Sequence, residues 1–188
     1  MIDRRGALLT MAALFGSQLF APLARAAGFV PGVRTPINTG PVSPPVFTPD
    51  QRALVTALCE RVMPTTDTPG AIAAGVPDYI EHMLSDWAVD DDRATILDGL
   101  AAIEARSRRD YRAGAASASP EQQDALLTLA MNGALPGGAA FFENFRQLVV
   151  TGYFTSEIGI TQEREYLPVP GRYDGAYPYS SVNKVFSA

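Results

Sequence analysis

The sequence predicts an all-α protein: a small helical bundle with extended, proline-rich arms at both ends. Three observations predict it. Apolar residues recur at 3.6-residue spacing in five stretches between Leu54 and Val149. No βαβ alternation and no repeat with a period of roughly 20–50 residues is present. Prolines crowd the flanks, with Pro31, Pro36, Pro41, Pro44 and Pro45 before the first helix and Pro168, Pro170 and Pro178 after the last.

The chain begins with a leader. Arg4-Arg5 precede Gly6-Ala7-Leu8-Leu9 and an uncharged run to Ala21, Pro22 breaks any helix, and Ala24-x-Ala26 offers the small side chains a signal peptidase accepts. Gly6, Thr10, Gly16, Ser17 and Gln18 dilute the run, which is too short and too polar for a membrane span. The paired arginines (Arg4, Arg5) favour the twin-arginine route, which carries folded cargo, although Ala7 and Leu9 stand where Phe and Lys are common. An ordinary secretory signal is the alternative. Either route takes the mature protein out of the cytoplasm, so residues 1–26 are expected to be a leader and the periplasm the destination.

Residues 27–47 form a Pro/Gly-rich extended linker with no acidic residue, either free in solvent or lying along a neighbour. The helical domain is expected over 48–160. Thr48-Pro49-Asp50-Gln51 is a capping box with proline at the first helical position, and Leu54, Val55, Leu58, Cys59 and Val62 follow on one face. Pro64 ends that helix, and Thr65 to Gly75 reads as a turn. A second helix opens at Val76-Pro77-Asp78, with Tyr79, Ile80, Met83, Leu84 and Trp87 sharing a face. The third starts at Asp90-Asp91-Asp92, acids that suit a helix N-terminus, and carries Ile96, Leu97, Leu100 and Ile103. Ser119-Pro120-Glu121-Gln122 repeats the capping box and launches Leu126, Leu127 and Ala130. Gly133 to Gly138 is a hinge. The last helix has the strongest amphipathic pattern, Phe141, Phe142, Phe145, Leu148 and Val149, and these are expected in the core. Residues 161–188 form the C-terminal arm, whose prolines bar it from a central strand.

Composition bounds the function. Hydrophobic residues at 47% and charged residues at 19% fit a globular chain rather than a disordered one. Loss of residues 1–26 removes three arginines and one aspartate, so the formal charge of −5 becomes −7. That acidity argues against nucleic acid and anionic lipid, which need a basic face. No later segment is apolar enough to cross a bilayer, so membrane attachment would come through partners. The lone Cys59 excludes an internal disulfide. It is either a small core residue or a bridge to a cysteine on another subunit.

Catalytic and cofactor motifs are missing. His82 is the one histidine, too few for a triad or a His-rich metal site, and a surface or capping role suits it. No serine stands in a G-x-S-x-G elbow, no C-x-x-C exists, and the glycines from 133 to 138 lack dinucleotide spacing. Carboxylates such as Glu143, Glu157, Glu163 and Glu165 single out no pair for glycoside chemistry. No catalytic, cofactor-binding or metal residue is therefore assigned. The arm is conspicuous instead. Pro168, Pro170, Arg172, Tyr173 and Tyr177 combine stiffness with residue types common in interface anchors, so they are candidates for partner binding. The alternative is that the arm wraps its own helices.

At these residues the chain resembles the gluconate 2-dehydrogenase subunit 3 family, from Phe47 to about Pro178. The resemblance rests on Thr48-Pro49-Asp50-Gln51-Arg52-Ala53-Leu54, on Pro64…Asp67-Thr68-Pro69-Gly70-Ala71…Gly75-Val76, on Phe141-Phe142…Leu148…Gly152-Tyr153-Phe154-Thr155-Ser156-Glu157-Ile158-Gly159, and on the closing Pro168-Val169-Pro170-Gly171-Arg172-Tyr173-Asp174-Gly175. Departures lie in the leader and in the polar, Ala-rich Arg106–Ser119 segment. The resemblance implies a non-catalytic small subunit of an exported sugar, sugar-acid or alcohol dehydrogenase. It implies a large subunit of the glucose–methanol–choline (GMC) type that holds FAD, and in some assemblies a cytochrome c subunit with haem c that anchors the complex at the membrane. The large subunit of such complexes typically lacks a leader, so this chain's leader would escort it. Two other readings stand beside this one: a stand-alone periplasmic hydrolase using acidic residues, and a freestanding periplasmic chaperone or binding module.

Overall fold

Thr48 shows how the sequence starts the fold. Its backbone is extended, its hydroxyl accepts from the Gln51 N–H at 3.3 Å, and the Gln51 side chain accepts from the Thr48 N–H at 3.0 Å. Two of the orphan donors at the helix start are thereby satisfied. In this computed structural model, residues 44–166, 171, 176, 178–181 and 185–187 are described. Arg4, Arg5, Ala24 and Ala26 of the expected leader, and the expected linker up to Ser43, lie outside the described residues.

Five α-helices follow in the described residues: α1 (Pro49–Val62), α2 (Val76–Asp86), α3 (Asp90–Tyr111), α4 (Pro120–Met131) and α5 (Gly138–Thr155). Each was expected from its spacing, and the protein is all-α as the sequence predicts. A second capping box, Ser119 with Gln122, opens α4 in the same way as the first. The start of α3 has no side-chain cap, because Val89 occupies the N-cap. Asp90, Asp91 and Asp92 stand in the first turn, where the dipole favours them. Arg93 closes the preceding junction by donating to the Leu84 carbonyl at 2.8 Å and the Ala88 carbonyl at 3.2 Å.

Helix α5 is the axis of the bundle and packs against α2, α3 and α4. Its buried face is Phe141, Phe145, Val149, Gly152 and Tyr153, and Phe141 and Phe145 stack with centroids 5.4 Å apart. Phe142 and Leu148, expected in the core, flank it half-buried, because five apolar positions subtend more of the helix than its neighbours cover. Gly152 sets the approach of α2, since a Cβ there would lie 2.5 Å from the Tyr79 ring. Leu54, Val55, Leu58 and Cys59 of α1, Ile80 and Leu84 of α2, and Ile96, Leu100 and Ile103 of α3 complete the core.

Trp87 departs from the expectation. The periodicity puts it on the apolar face of α2 with Ile80 and Leu84, but that helix ends at Asp86. Trp87, at the C-cap with φ −122° and ψ −31°, turns its side chain out until 78% of it is exposed. The stretch from 133 to 138 is a tight turn anchored by buried Leu135. The connection after α3 is held by buried polar groups: Gln123 donates to the carbonyls of Ala115 and Ala116, and Ser107 donates to that of Ala113. Among the described residues no buried side-chain nitrogen or oxygen lacks a partner. Bidentate hydrogen bonds from Arg61 to Asp124, at 2.7 and 2.6 Å, tie α1 to α4.

Both arms begin on the bundle. At the N-terminal side, Ser85 donates to the Pro44 carbonyl at 3.0 Å, the Glu81 carboxylate accepts the N–H groups of Val46 and Phe47, and Phe47 is buried. The end of the linker therefore lies along α2. On the other side, the chain makes a π-helical turn over Gly159–Glu163. It then forms a two-residue strand, β1 (Glu165–Tyr166), paired in parallel with β2 (Phe186–Ser187). That pairing was not anticipated. It brings the end of the arm back to the arm's own root.

Candidate functional site

The root of the C-terminal arm is where the sequence's most specific stretches converge. It is built from the loop after α1, the end of α5 and the π-helical turn. The loop is organised by Glu60. Its carboxylate accepts the Thr65 N–H at 2.8 Å, the Thr65 hydroxyl at 2.7 Å and the Ile72 N–H at 3.2 Å, while Thr65 Oγ1 accepts the Gly70 N–H at 3.0 Å. Gly70 is required by close approach: a Cβ would sit 2.5 Å from the Thr65 nitrogen and 2.6 Å from Glu60 Oε1. Partial burial works to raise the Glu60 pKa. The hydrogen bonds from Thr65 and Ile72, with the charge of Arg61, outweigh it and hold the carboxyl below its ordinary value.

The loop so shaped delivers Thr68 and Pro69 to α5. The Tyr153 hydroxyl, at the end of a buried side chain, donates to the Pro69 carbonyl at 2.9 Å and lies 3.4 Å from Thr68 Oγ1. Thr68 donates to Glu163 Oε2 at 2.7 Å, so three elements are joined by one hydrogen-bonded chain. Ser156 caps α5 by donating to the Tyr153 carbonyl at 2.7 Å and accepting the Gly159 N–H at 3.0 Å. Arg164 then lies 4.7 Å above the Phe154 ring, which meets Tyr153 edge-on. From there Glu165 donates its N–H to the Val185 carbonyl at 3.0 Å, and the strand pair starts.

What this root offers to solvent is a cleft of about 350 Å³ lined by Thr68, Phe154, Glu163, Arg164, Tyr179 and Val185, with Asp67 and Gln162. Tyr179 and Val185 of that lining are exposed, as are Tyr166 and Phe186 in the strand pair. Exposed Tyr and Phe side chains are residue types enriched at protein interfaces. Of the candidate partner-binding residues, Pro168, Pro170, Arg172, Tyr173 and Tyr177 lie outside the described residues. Their neighbours Tyr166, Gly171, Ala176, Pro178 and Tyr179 are described, and all five of those are exposed.

The remaining candidates fall elsewhere. Cys59 is fully buried in the core, and burial, reinforced by the charge of Glu60, pushes its thiol pKa up. A bridge from there to another subunit would require α1 to unseat from the bundle. His82 is exposed on α2. Among the described residues no three His, Cys, Asp or Glu side chains are gathered to hold a metal ion, and no helix is long and apolar enough to cross a membrane. The sequence assigns no site role to Glu60, to Thr68 within the Asp67–Ala71 turn, or to Glu163 among the carboxylates. Their one signal was the Asp67-Thr68-Pro69-Gly70-Ala71 stretch, whose glycine marks a close approach.

The domain is thus an all-α bundle that roots a proline-bearing, aromatic arm. In the comparison with protein families, residues 49–171 match the family described as gluconate 2-dehydrogenase subunit 3, and the chain belongs to that family. It is accordingly an accessory subunit of a dehydrogenase, with a dehydrogenase as partner. The match runs from the first residue of α1 through the arm root, within the Phe47–Pro178 stretch that the motifs outline. No curated protein and no solved structure matches the chain.

Proposed function

We propose that the chain is the non-catalytic small subunit of a periplasmic, FAD-dependent dehydrogenase of the GMC type that acts on a sugar, sugar acid or alcohol. In this reading FAD and the chemistry reside in the large subunit. A cytochrome c subunit with haem c, where the assembly has one, holds the complex at the membrane. This chain stabilises the flavoprotein and escorts it, folded, through the twin-arginine route, and the arm bearing Pro168, Pro170, Arg172, Tyr173 and Tyr177 grips it.

The observation that carries the reading is the family membership of the whole helical domain. The Arg4-Arg5 leader ahead of that domain supports the export role, because a twin-arginine leader serves cargo that folds before crossing. Replacing Arg4 and Arg5 with lysine tests it. Dehydrogenase activity and both subunits are expected to shift from the periplasmic to the cytoplasmic fraction. Full periplasmic activity in that variant would end the escort role while leaving the subunit assignment in place.

A further inference from the structure

A second surface stands apart from the arm root. Between α2, α3 and α5 runs a groove of about 310 Å³ lined by Met83, Leu84, Trp87, Ala88, Ile96 and Leu148, together with the polar Asn144 and Gln147 of α5. Trp87 is 78% exposed and Val89 64%, beside a core whose aromatic side chains are otherwise well covered. Asp92 lines the same groove, and Asp90 and Asp91 share its helical turn. Asp90 pairs with Arg93, whereas the carboxylates of Asp91 and Asp92 form no ion pair among the described residues. The helix dipole accounts for acids at the start of α3. It does not account for an indole and a valine left in water next to them. Largely apolar lining, exposed tryptophan and charged collar together have the anatomy of an interface core with its rim.

We propose that this groove docks the dehydrogenase partner, which seats an apolar or aromatic side chain against Trp87 and sets Arg or Lys opposite Asp91 and Asp92. The inference rests on the chain's place in a dehydrogenase complex and adds a second contact, on the helical body, to that of the arm. The acidic collar selects the partner's chemistry: a second copy of this chain would bring the same acids face to face, and like charges there oppose docking.

The chain has one tryptophan, so 5-fluorotryptophan incorporated into it reports on Trp87 alone. The isolated chain should give the ¹⁹F signal of a water-exposed indole. Addition of unlabelled dehydrogenase subunit, purified from the co-expressed complex, should shift that signal and shield it from solvent. Trp87→Ala should leave melting unchanged and weaken binding by about 30-fold, as a hot-spot residue does. Asp91→Lys with Asp92→Lys should weaken binding and flatten its salt dependence.

An unshifted ¹⁹F signal in the complex, or full affinity in either variant, would overturn the proposal. So would a Trp87→Ala protein that melts lower yet binds fully, which would make Trp87 structural. A variant that alters only self-association, or a signal that moves only when residues 1–43 are removed, would assign the groove to a second copy or to this chain's own N-terminal segment. Absence of any dehydrogenase from the wild-type complex would sink the broader reading as well. A wild-type complex that Trp87→Ala leaves intact sinks the groove alone.

Discussion

Glu60 shapes the loop that carries Thr68, and it does so as a carboxylate, since each group it contacts in the loop is a donor. Its pKa is held below the unfolded value, so its contribution is fully present above the ordinary carboxylate range and is lost as pH falls through the lowered folded value. Glu60→Gln keeps one acceptor but turns an NH2 toward an N–H. We expect a loss of about 1–2 kcal/mol at neutral pH, at the lower end for charged hydrogen bonds because the site is partly exposed. Thermal melts of both proteins between neutral and acid pH check this. The gap between them should close as the wild-type carboxyl protonates. A gap independent of pH would mean that the effect is one of packing. None of this was legible beforehand, because Glu60 sits among the polar positions of an amphipathic helix and its partners are five and twelve residues away on a loop.

At the scale of elements, α5 decides whether the bundle forms, since it packs on α2, α3 and α4. Phe145 is wholly buried and stacked on Phe141. Its truncation to alanine should cost about 3–5 kcal/mol, a fall of roughly 10 °C in the melting temperature of the isolated subunit. An unchanged melt would mean that this face serves a partner instead. The helices themselves were readable because a 3.6-residue apolar period and two capping boxes are local signals, complete within a dozen residues. Trp87 shows the limit. Periodicity continued one residue past the point where α2 stops, and the side chain beyond that point answers to the junction with α3, not to the period.

For the whole molecule, the question is what the arm does once it has left the bundle. Its root is secured by Tyr153, Thr68 and Glu163, all upstream of the strand pair. Deleting residues from Tyr166 onward should therefore leave the helical circular dichroism nearly intact. Binding of the dehydrogenase subunit should weaken by about 30-fold or more if the arm supplies even one hot-spot residue. Titration of the purified flavoprotein with the truncated chain measures this. Unfolding of the truncated chain would make the arm structural, and full affinity would remove it from the interface.

The sequence by itself determined the all-α class, the five helices and the capping boxes of two of them, most of the core and the family. Each of these is written in local spacing or in short contiguous stretches. Only the tertiary structure decided that the Asp67–Ala71 turn and the Gly152–Gly159 stretch meet at the arm root, that the arm's end returns to its root through a parallel pair, and that Trp87 faces water. The physical reason is separation along the chain. The Tyr153 hydroxyl and the Pro69 carbonyl lie 84 residues apart, and Glu165 reaches Val185 across the whole arm. A polar side chain reveals nothing of such a partner until packing of the helices has brought the two within hydrogen-bond reach.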